Sequence, residues 1–269
     1  MSGKILIGLV FCFFFACTNT YAAYVSSIFD PVKEGEWKIA VFKDKTNAKK
    51  FKVRTGTPLP GFVLLTDAKI TEISSNGIQI NYGCSNALSM FFKFGQADRV
   101  LEEKWTDGVI SELGYNGENM YGLGLKYVEE VDDGLIIGGD LQVNVYAGEN
   151  VDHVSEGGVP ATLILSPGEG ELREFQGSLL FGQKINMSKN LDIFPYMGCA
   201  INRSKLKVDE TVYSGPGIGG TIYKMELDEA RKFGWIAGID FNLSDTFNLN
   251  IETRHYIEAA YTIGFSFDF

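Results

Sequence analysis

The sequence predicts an all-β fold: an antiparallel up-and-down transmembrane β-barrel of about ten strands, with about eight to twelve as the range. Three observations predict it. Apolar and polar residues alternate with a period of two through paired segments. The residues joining each pair are few and polar. The stretches between pairs are long and rich in glycine. Short turns at one end and long connections at the other are the pattern of a barrel that crosses a bilayer, its short turns on the inner side.

The elements follow in order. "MSGK" supplies one Lys, "ILIGLVFCFFFA" is a short apolar run, and "CTNTYAA" is small and polar. That layout is an export signal, too short for a spanning helix. With Thr20 and Ala22 at the small-residue positions the cut falls after Ala22, giving a signal peptide over 1–22 and a barrel domain over 23–269. A lipoprotein cut before Cys17 is the alternative, with Phe where a lipobox prefers Leu. Cys84 and Cys199 then remain in the mature chain, far apart and without metal-type spacing, and read as buried or lipid-facing thiols.

"EWKIAVFK" is the opening strand. Four hairpins follow: "SNGIQINYGC" with "LSMFFKFGQ", "ENMYGLGLKYVEE" with "LIIGGDLQVNVYAG", "ELREFQGSLLFGQKIN" with "LDIFPYMGCAIN", and "RKFGWIAGIDFNL" with "FNLNIETRHY". "AAYTIGFSFDF" closes the chain. Residues 98–117, 148–170 and 209–229 read as long polar outer loops. An even count returns both termini to the side of entry and lets the last strand close on the first.

The faces decide the solvent. Phe233, Trp235, Ala237, Ile239, Phe241 and Leu243 share one side of their strand, and Gly234, Ile236, Gly238, Asp240 and Asn242 the other. Leu135, Ile137, Leu141, Val143 and Val145 oppose Asp140, Gln142 and Asn144. The polar face carries glycine and uncharged amides rather than the Lys and Glu of a solvated sheet. Aromatics gather near strand ends at Tyr82, Tyr121, Tyr127, Phe194, Tyr196, Phe233, Phe241 and Phe247, as interfacial girdles do. Closure removes edge strands that lipid could not satisfy. The net charge of −10 and pI near 4.8 exclude a nucleic-acid partner.

On the leader, the hairpins and the final strand, the chain resembles bacterial outer-membrane β-barrel proteins of the small porin-like or opacity-type class. The resemblance implies outer-membrane lipid as surroundings in a Gram-negative-type envelope. It also implies that Tyr261, Ile263, Phe265, Phe267 and the terminal Phe269 form the signal read by the barrel-assembly machinery. It says little about function, since small barrels host pores, adhesins, enzymes and scaffolds.

The expected interior holds Lys93, Lys126, Asp140, Gln142, Asn144, Glu174, Gln176, Lys184, Asp240, Glu252 and Arg254, lining either a narrow pore or a packed plug. The function read from this is a structural or porin-like barrel passing small solutes; the alternative is a binding barrel acting through its outer loops. No cofactor, metal or catalytic group is expected. His153 beside Asp152, and His255 in "ETRHY", invite comparison with outer-membrane hydrolases, but the wider motifs are missing and the chain reads as no enzyme. "SGPGIGGTIY" lacks the strand-to-helix context of a phosphate loop. Lys43, Lys45, Lys49, Lys50 and Lys52 are the one basic cluster and read as a solvated face or a contact for anionic headgroups.

Overall fold

The computed structural model describes residues 32–56, 65–105, 108, 110–132, 134–148, 153–156, 159–160, 169–188, 191–215, 218–229, 233–244, 246–255 and 259–268. Fourteen strands form one sheet: β1 (Trp37–Gly56), β2 (Leu65–Gly83), β3 (Leu88–Trp105), β4 (Ile110–Asp132), β5 (Leu135–Gly148), β6 (His153–Glu156), β7 (Val159–Pro160), β8 (Glu169–Gln183), β9 (Ile185–Ser188), β10 (Leu191–Gly215), β11 (Ile218–Glu229), β12 (Phe233–Ser244), β13 (Phe247–His255) and β14 (Ala259–Asp268). The order β3-β2-β1-β14-β13-β12-β10-β8-β5-β4, with β3 pairing β4, closes a ten-strand antiparallel barrel. The closing strand pairs the opening one from Lys38 opposite Asp268 to Asn47 opposite Ala259. Phe269 and the leader, Cys12 and Cys17 included, lie outside the described residues, as does Asp152.

Two of the stretches expected as long loops, 98–117 and 209–229, are a correction, while most of the third, 148–170, lies outside the described residues. β3 runs on to Trp105 and β4 begins at Ile110, while β10 and β11 form a hairpin turning between Gly215 and Ile218. Of the "SGPGIGG" segment, Gly215 ends β10 and Ile218 opens β11, and Pro216 and Gly217 lie outside the described residues. β4 has 23 residues and β10 has 25, where about 9–11 suffice to cross a bilayer. The strands continue because alternation continues beyond the bilayer with its chemistry exchanged between faces. On β3, Phe92 and Phe94 point outward, followed outward by Gln96, Asp98 and Lys104, while Ala97, Arg99 and Leu101 point in.

The wall also changes in strand number. The β13–β14 hairpin is short, at nine and ten residues. β1 pairs β14 along its first half and β11 from Phe51 to Gly56. β10 pairs β12 through Ile201 and β11 from Lys205. Above the short hairpin, β11 therefore bridges β10 directly to β1. The wall there is β1-β2-β3-β4-β5-β8-β10-β11, eight strands rather than ten, with β6 in place of β5 beside Ser111–Gly114 of β4. A barrel of about eight strands is just wide enough for its own side chains to fill.

Two girdles of aromatics bound the apolar belt. Trp37 and Tyr82 pack at 4.7 Å between ring centres at the inner end. Phe94 and Tyr121 meet edge-on at 6.5 Å at the outer margin. Phe194 and Tyr196 do not belong to these girdles. Both are buried inside, because Ile193, Pro195 and Met197 take the other face of β10. Cys84 and Cys199 are free and half-buried.

Candidate functional site

The interior of the ten-strand section is a polar network built across strands distant in sequence. The Lys93 ammonium on β3 donates to Gln142 Oε1 on β5 at 2.5 Å. Arg254 on β13 pairs with Glu252 and reaches Gln176 Oε1 on β8 at 3.4 Å. Tyr196 Oη donates to Glu252 Oε2 at 2.7 Å and accepts from Asn250 Nδ2 at 3.0 Å, and Asn250 also holds Asp240. Ser178 donates to Asp140, and Thr262 Oγ1 to Asp44 Oδ1 at 2.9 Å. Unpaired charges could not persist at this depth; paired and hydrogen-bonded ones can.

The residues singled out from the sequence fall as follows. Lys93, Lys126, Asp140, Gln142, Asn144, Glu174, Gln176, Asp240, Glu252 and Arg254 are all buried inside the wall. Lys184 is elsewhere. It follows β8 at the inner end, half-exposed, 3.0 Å from Asp192 and over the Phe194 ring at 5.6 Å. Tyr261, Ile263, Phe265 and Phe267 stand on the outward face of β14. The backbone of His153 pairs with Gly114. His255 stacks on Trp235 at 5.4 Å, at the outer end of its strand. Among the described residues no group of three or more His, Cys, Asp or Glu could hold a metal ion.

Sequence reading missed the next layer outward. Lys49 on β1 pairs with Glu174 and stands 3.9 Å from Glu229, and Tyr146 Oη donates to Glu174 Oε2 at 3.2 Å. Lys49 was grouped with the outward lysines. The inward phase of β1 passes from Asp44 and Thr46 to Lys49 and Phe51, beside the point where the register of β2 against β3 shifts between Ile70 and Glu72. Further out, Arg99 Nη2 donates to Glu118 Oε1 at 2.5 Å and the guanidinium lies 4.4 Å from the centre of the Tyr115 ring. Burial pushes the Glu118 carboxyl up to about 7, against the pull of Arg99. Burial likewise raises the Tyr115 hydroxyl and the Glu229 carboxyl. Asp44 was legible: Lys38, Ala40, Phe42, Asp44 and Thr46 alternate in phase along β1.

Around and above these pairs the interior becomes apolar. Phe51, Ile70, Leu101, Leu113, Tyr115, Leu172, Leu206, Val208, Met225 and Leu227 belong to one buried cluster that fills the eight-strand section and reaches down to Ala40 and Phe42. Each is at most 5% exposed. Each fully buried Leu or Val contributes about 1.5–3 kcal/mol.

A closed sheet with an apolar outer belt, aromatic girdles and a hydrogen-bonded polar interior is a transmembrane β-barrel of the outer-membrane type. No family model matches the chain, and no curated protein matches it. Among solved structures, the chain is similar to the outer membrane protein OprG of Pseudomonas aeruginosa, at 12% identity over 90% of this chain and 99% of that one, with a TM-score of 0.43. It is similar to the translocator domain of the autotransporter NalP of Neisseria meningitidis, at 14% identity over 91% and 92%, with a TM-score of 0.45. A third likeness is to Ail, the attachment invasion locus protein of Yersinia pestis, at 12% identity over 88% and 99%, with a TM-score of 0.30.

Proposed function

We propose that the chain is a structural outer-membrane barrel with a stoppered interior. It serves as a non-enzymatic element of the envelope that carries a rigid eight-strand extension outward. The apolar cluster across the eight-strand section is the observation that carries this reading. Leu101, Leu113, Leu172, Leu206 and Leu227 leave no face open to water, so the polar residues beneath them act as a plug rather than as the lining of a pore. An ion crossing this stopper would have to shed its hydration against the packed leucines, and the charged groups beside them, Lys49–Glu174 and Arg99–Glu118, are already paired with one another. In the same reading residues 1–22 are the cleaved export signal, and β14 carries the assembly signal on its outward stripe. The His255 ring, stacked on Trp235, serves the outer aromatic girdle rather than hydrolysis.

Reconstitution into planar bilayers tests the stopper. The purified barrel is expected to insert without discrete conductance steps. Regular single-channel steps from the folded, heat-modifiable protein would establish an open path and overturn the structural reading in favour of a pore.

A further inference from the structure

The charges just above the apolar belt are unevenly spread around the barrel. On β2, β3 and β4 the outward positions next to the belt carry Glu72, Asn76, Gln96, Asp98 and Asn119. On β8 and β10 they carry Arg173, Arg203 and Lys205. The register makes these three a compact group. Lys205 lies directly opposite Arg173, and Arg203 directly opposite Phe175. Opposite pairs in an antiparallel sheet place their Cβ atoms about 4.5–5.5 Å apart, a spacing that lets several cations converge on one phosphate group.

Neither Arg203 nor Lys205 has a carboxylate partner among the described residues. Asp228, in register with Lys205, is held instead by Arg54 Nε at 3.4 Å. Arg173 is paired with Glu171, two positions further out on its own strand. Three cations therefore stand against one contacting carboxylate, on a protein whose net charge is −10. Cations left without partners at a lipid margin are suited to an anion supplied from outside the chain.

On the other flank of β8 from Arg203 and Lys205, and below Arg173, the outer wall is grooved. A depression of about 390 Å³ with an apolar lining runs over β3, β4, β5 and β8 between Phe92, Leu123, Leu125, Leu141, Val143 and Phe175. Phe175 joins the two features. It ends the groove, follows Arg173 by two residues on the same face, and faces Arg203 across the strand pair. An apolar slot inside the belt with cations at the outer margin of its β8 edge has the chemistry of an anionic lipid: acyl chain in the slot, phosphate above and beside it.

We infer that the β8–β10 arc binds a phosphorylated glycolipid of the outer leaflet, with Arg173, Arg203 and Lys205 on its phosphate and the Phe92–Phe175 groove on an acyl chain. The inference rests on the outer-membrane placement and is independent of whether the interior conducts. Arg gives planar, multiply donating contacts to phosphate, so this arc selects for phosphate and not merely for hydrocarbon.

Native mass spectrometry of the full mature chain in detergent tests this, with diphosphorylated lipid A as probe and its dephosphorylated form as control. The triple variant R173Q/R203Q/K205Q is compared with K50Q/K52Q/K104Q, which removes the same charge elsewhere on the outward face. The first is expected to bind the phosphorylated probe about ten-fold or more weakly, from the loss of charge-assisted contacts, and the second within about two-fold of wild type. A heat-modified gel shift verifies that each variant is folded. Equal binding by the two variants would overturn the inference, as would equal binding of the two lipids. Displacement of the lipid by millimolar inorganic phosphate would reduce the site to a simple anion site and overturn it too.

Discussion

Along a single strand of this barrel the two faces exchange chemistry. In the lower part of β10, Ile193, Met197 and Ile201 point outward while Tyr196 and Asn202 point inward; a few residues on, Arg203, Lys205 and Lys207 point outward while Leu206 and Val208 point inward. No change in which face a residue occupies is needed, only a change in what occupies it. The ten-strand section is therefore built for lipid, with its polar groups turned inward and its Glu252–Arg254 and Lys93–Gln142 contacts made there, and the eight-strand section for water, with a largely apolar core. The same hydrogen-bonded ladder serves both, because the backbone is indifferent to which face is wet. The comparison teaches that a membrane barrel can be extended outward as an ordinary soluble sheet once its hydrophobic pattern inverts, and that this inversion marks the membrane boundary.

The largest way to break the comparison is at the buried ion pair of the soluble half. Removing one partner leaves the other charge buried and uncompensated, which costs about 3–5 kcal/mol, whereas removing both is far milder. Arg99→Leu is expected to loosen the outer section, and Arg99→Leu with Glu118→Leu to recover most of the loss. The readout is thiol labelling at Leu113→Cys in a chain with Cys84 and Cys199 replaced by Ser, with the heat-modified gel shift reporting on the ten-strand section. The pair also carries a pH signature. Burial raises the Glu118 carboxyl from its ordinary 4.5 to about 7. Its contribution is thus full below about pH 4.5 and lost as pH rises through about 7. Labelling, divided by the rate of the unfolded chain at the same pH to remove the thiolate's own pH dependence, should speed up over that window in the wild-type background and not in Glu118→Gln. If Arg99→Leu leaves labelling unchanged, the outer core does not depend on this pair.

A second contrast places the same kind of change on either side of the boundary. Met197→Arg puts a cation on the lipid face of β10 and is expected to cost about 2–4 kcal/mol. Lys207→Met, ten residues further along the same face, removes a cation in the water-facing section and should stay within about 0.5 kcal/mol. Urea-dependent folding into detergent micelles or vesicles measures both. Similar costs at the two positions would mean that the belt does not end between Ile201 and Arg203.

How much of this was legible follows from the same inversion. Period-two alternation identified the barrel, its strand number and the outward stripes of β5, β12 and β14, since those lie within the belt. It also found ten of the buried polar residues, from Lys93 to Arg254. The outer section was misread as loops because charged residues such as Glu102, Lys104, Glu112 and Lys207 look like loop composition unless the inward Leu101, Leu113 and Leu206 are read against them. Lys49 falls on the other side from its expected one because the change of phase along β1 goes with a register shift of β2 against β3, between Ile70 and Glu72, which cannot be seen in one strand alone. Phe194 and Tyr196 were given to the girdle because aromatic rings at strand ends suit both faces. The pairs that organise the interior, Lys49–Glu174 and Arg99–Glu118, join positions far apart in sequence through register, and register is set by the closed sheet rather than by any one segment.

The smallest expected effect is the most direct check on the outer face. Lys45–Glu72 at 2.6 Å and Lys69–Glu102 at 2.8 Å are cross-strand ion pairs on the outward side of β1, β2 and β3. In a lipid-facing position breaking such a pair would strand a charge in hydrocarbon. In water each is worth about 0–1 kcal/mol and is screened by salt. Lys69→Ala is therefore expected to shift the urea midpoint by under about 1 kcal/mol at low ionic strength, and to shift it still less in about 1 M salt, where the Debye length falls to about 3 Å. A loss of several kcal/mol that salt leaves untouched would place Lys69 and Glu102 inside the bilayer and move the membrane boundary outward past the Arg99–Glu118 pair. A small, salt-sensitive effect holds the boundary below them, where the outward residues pass from Phe94 and Tyr121 to Gln96 and Asn119.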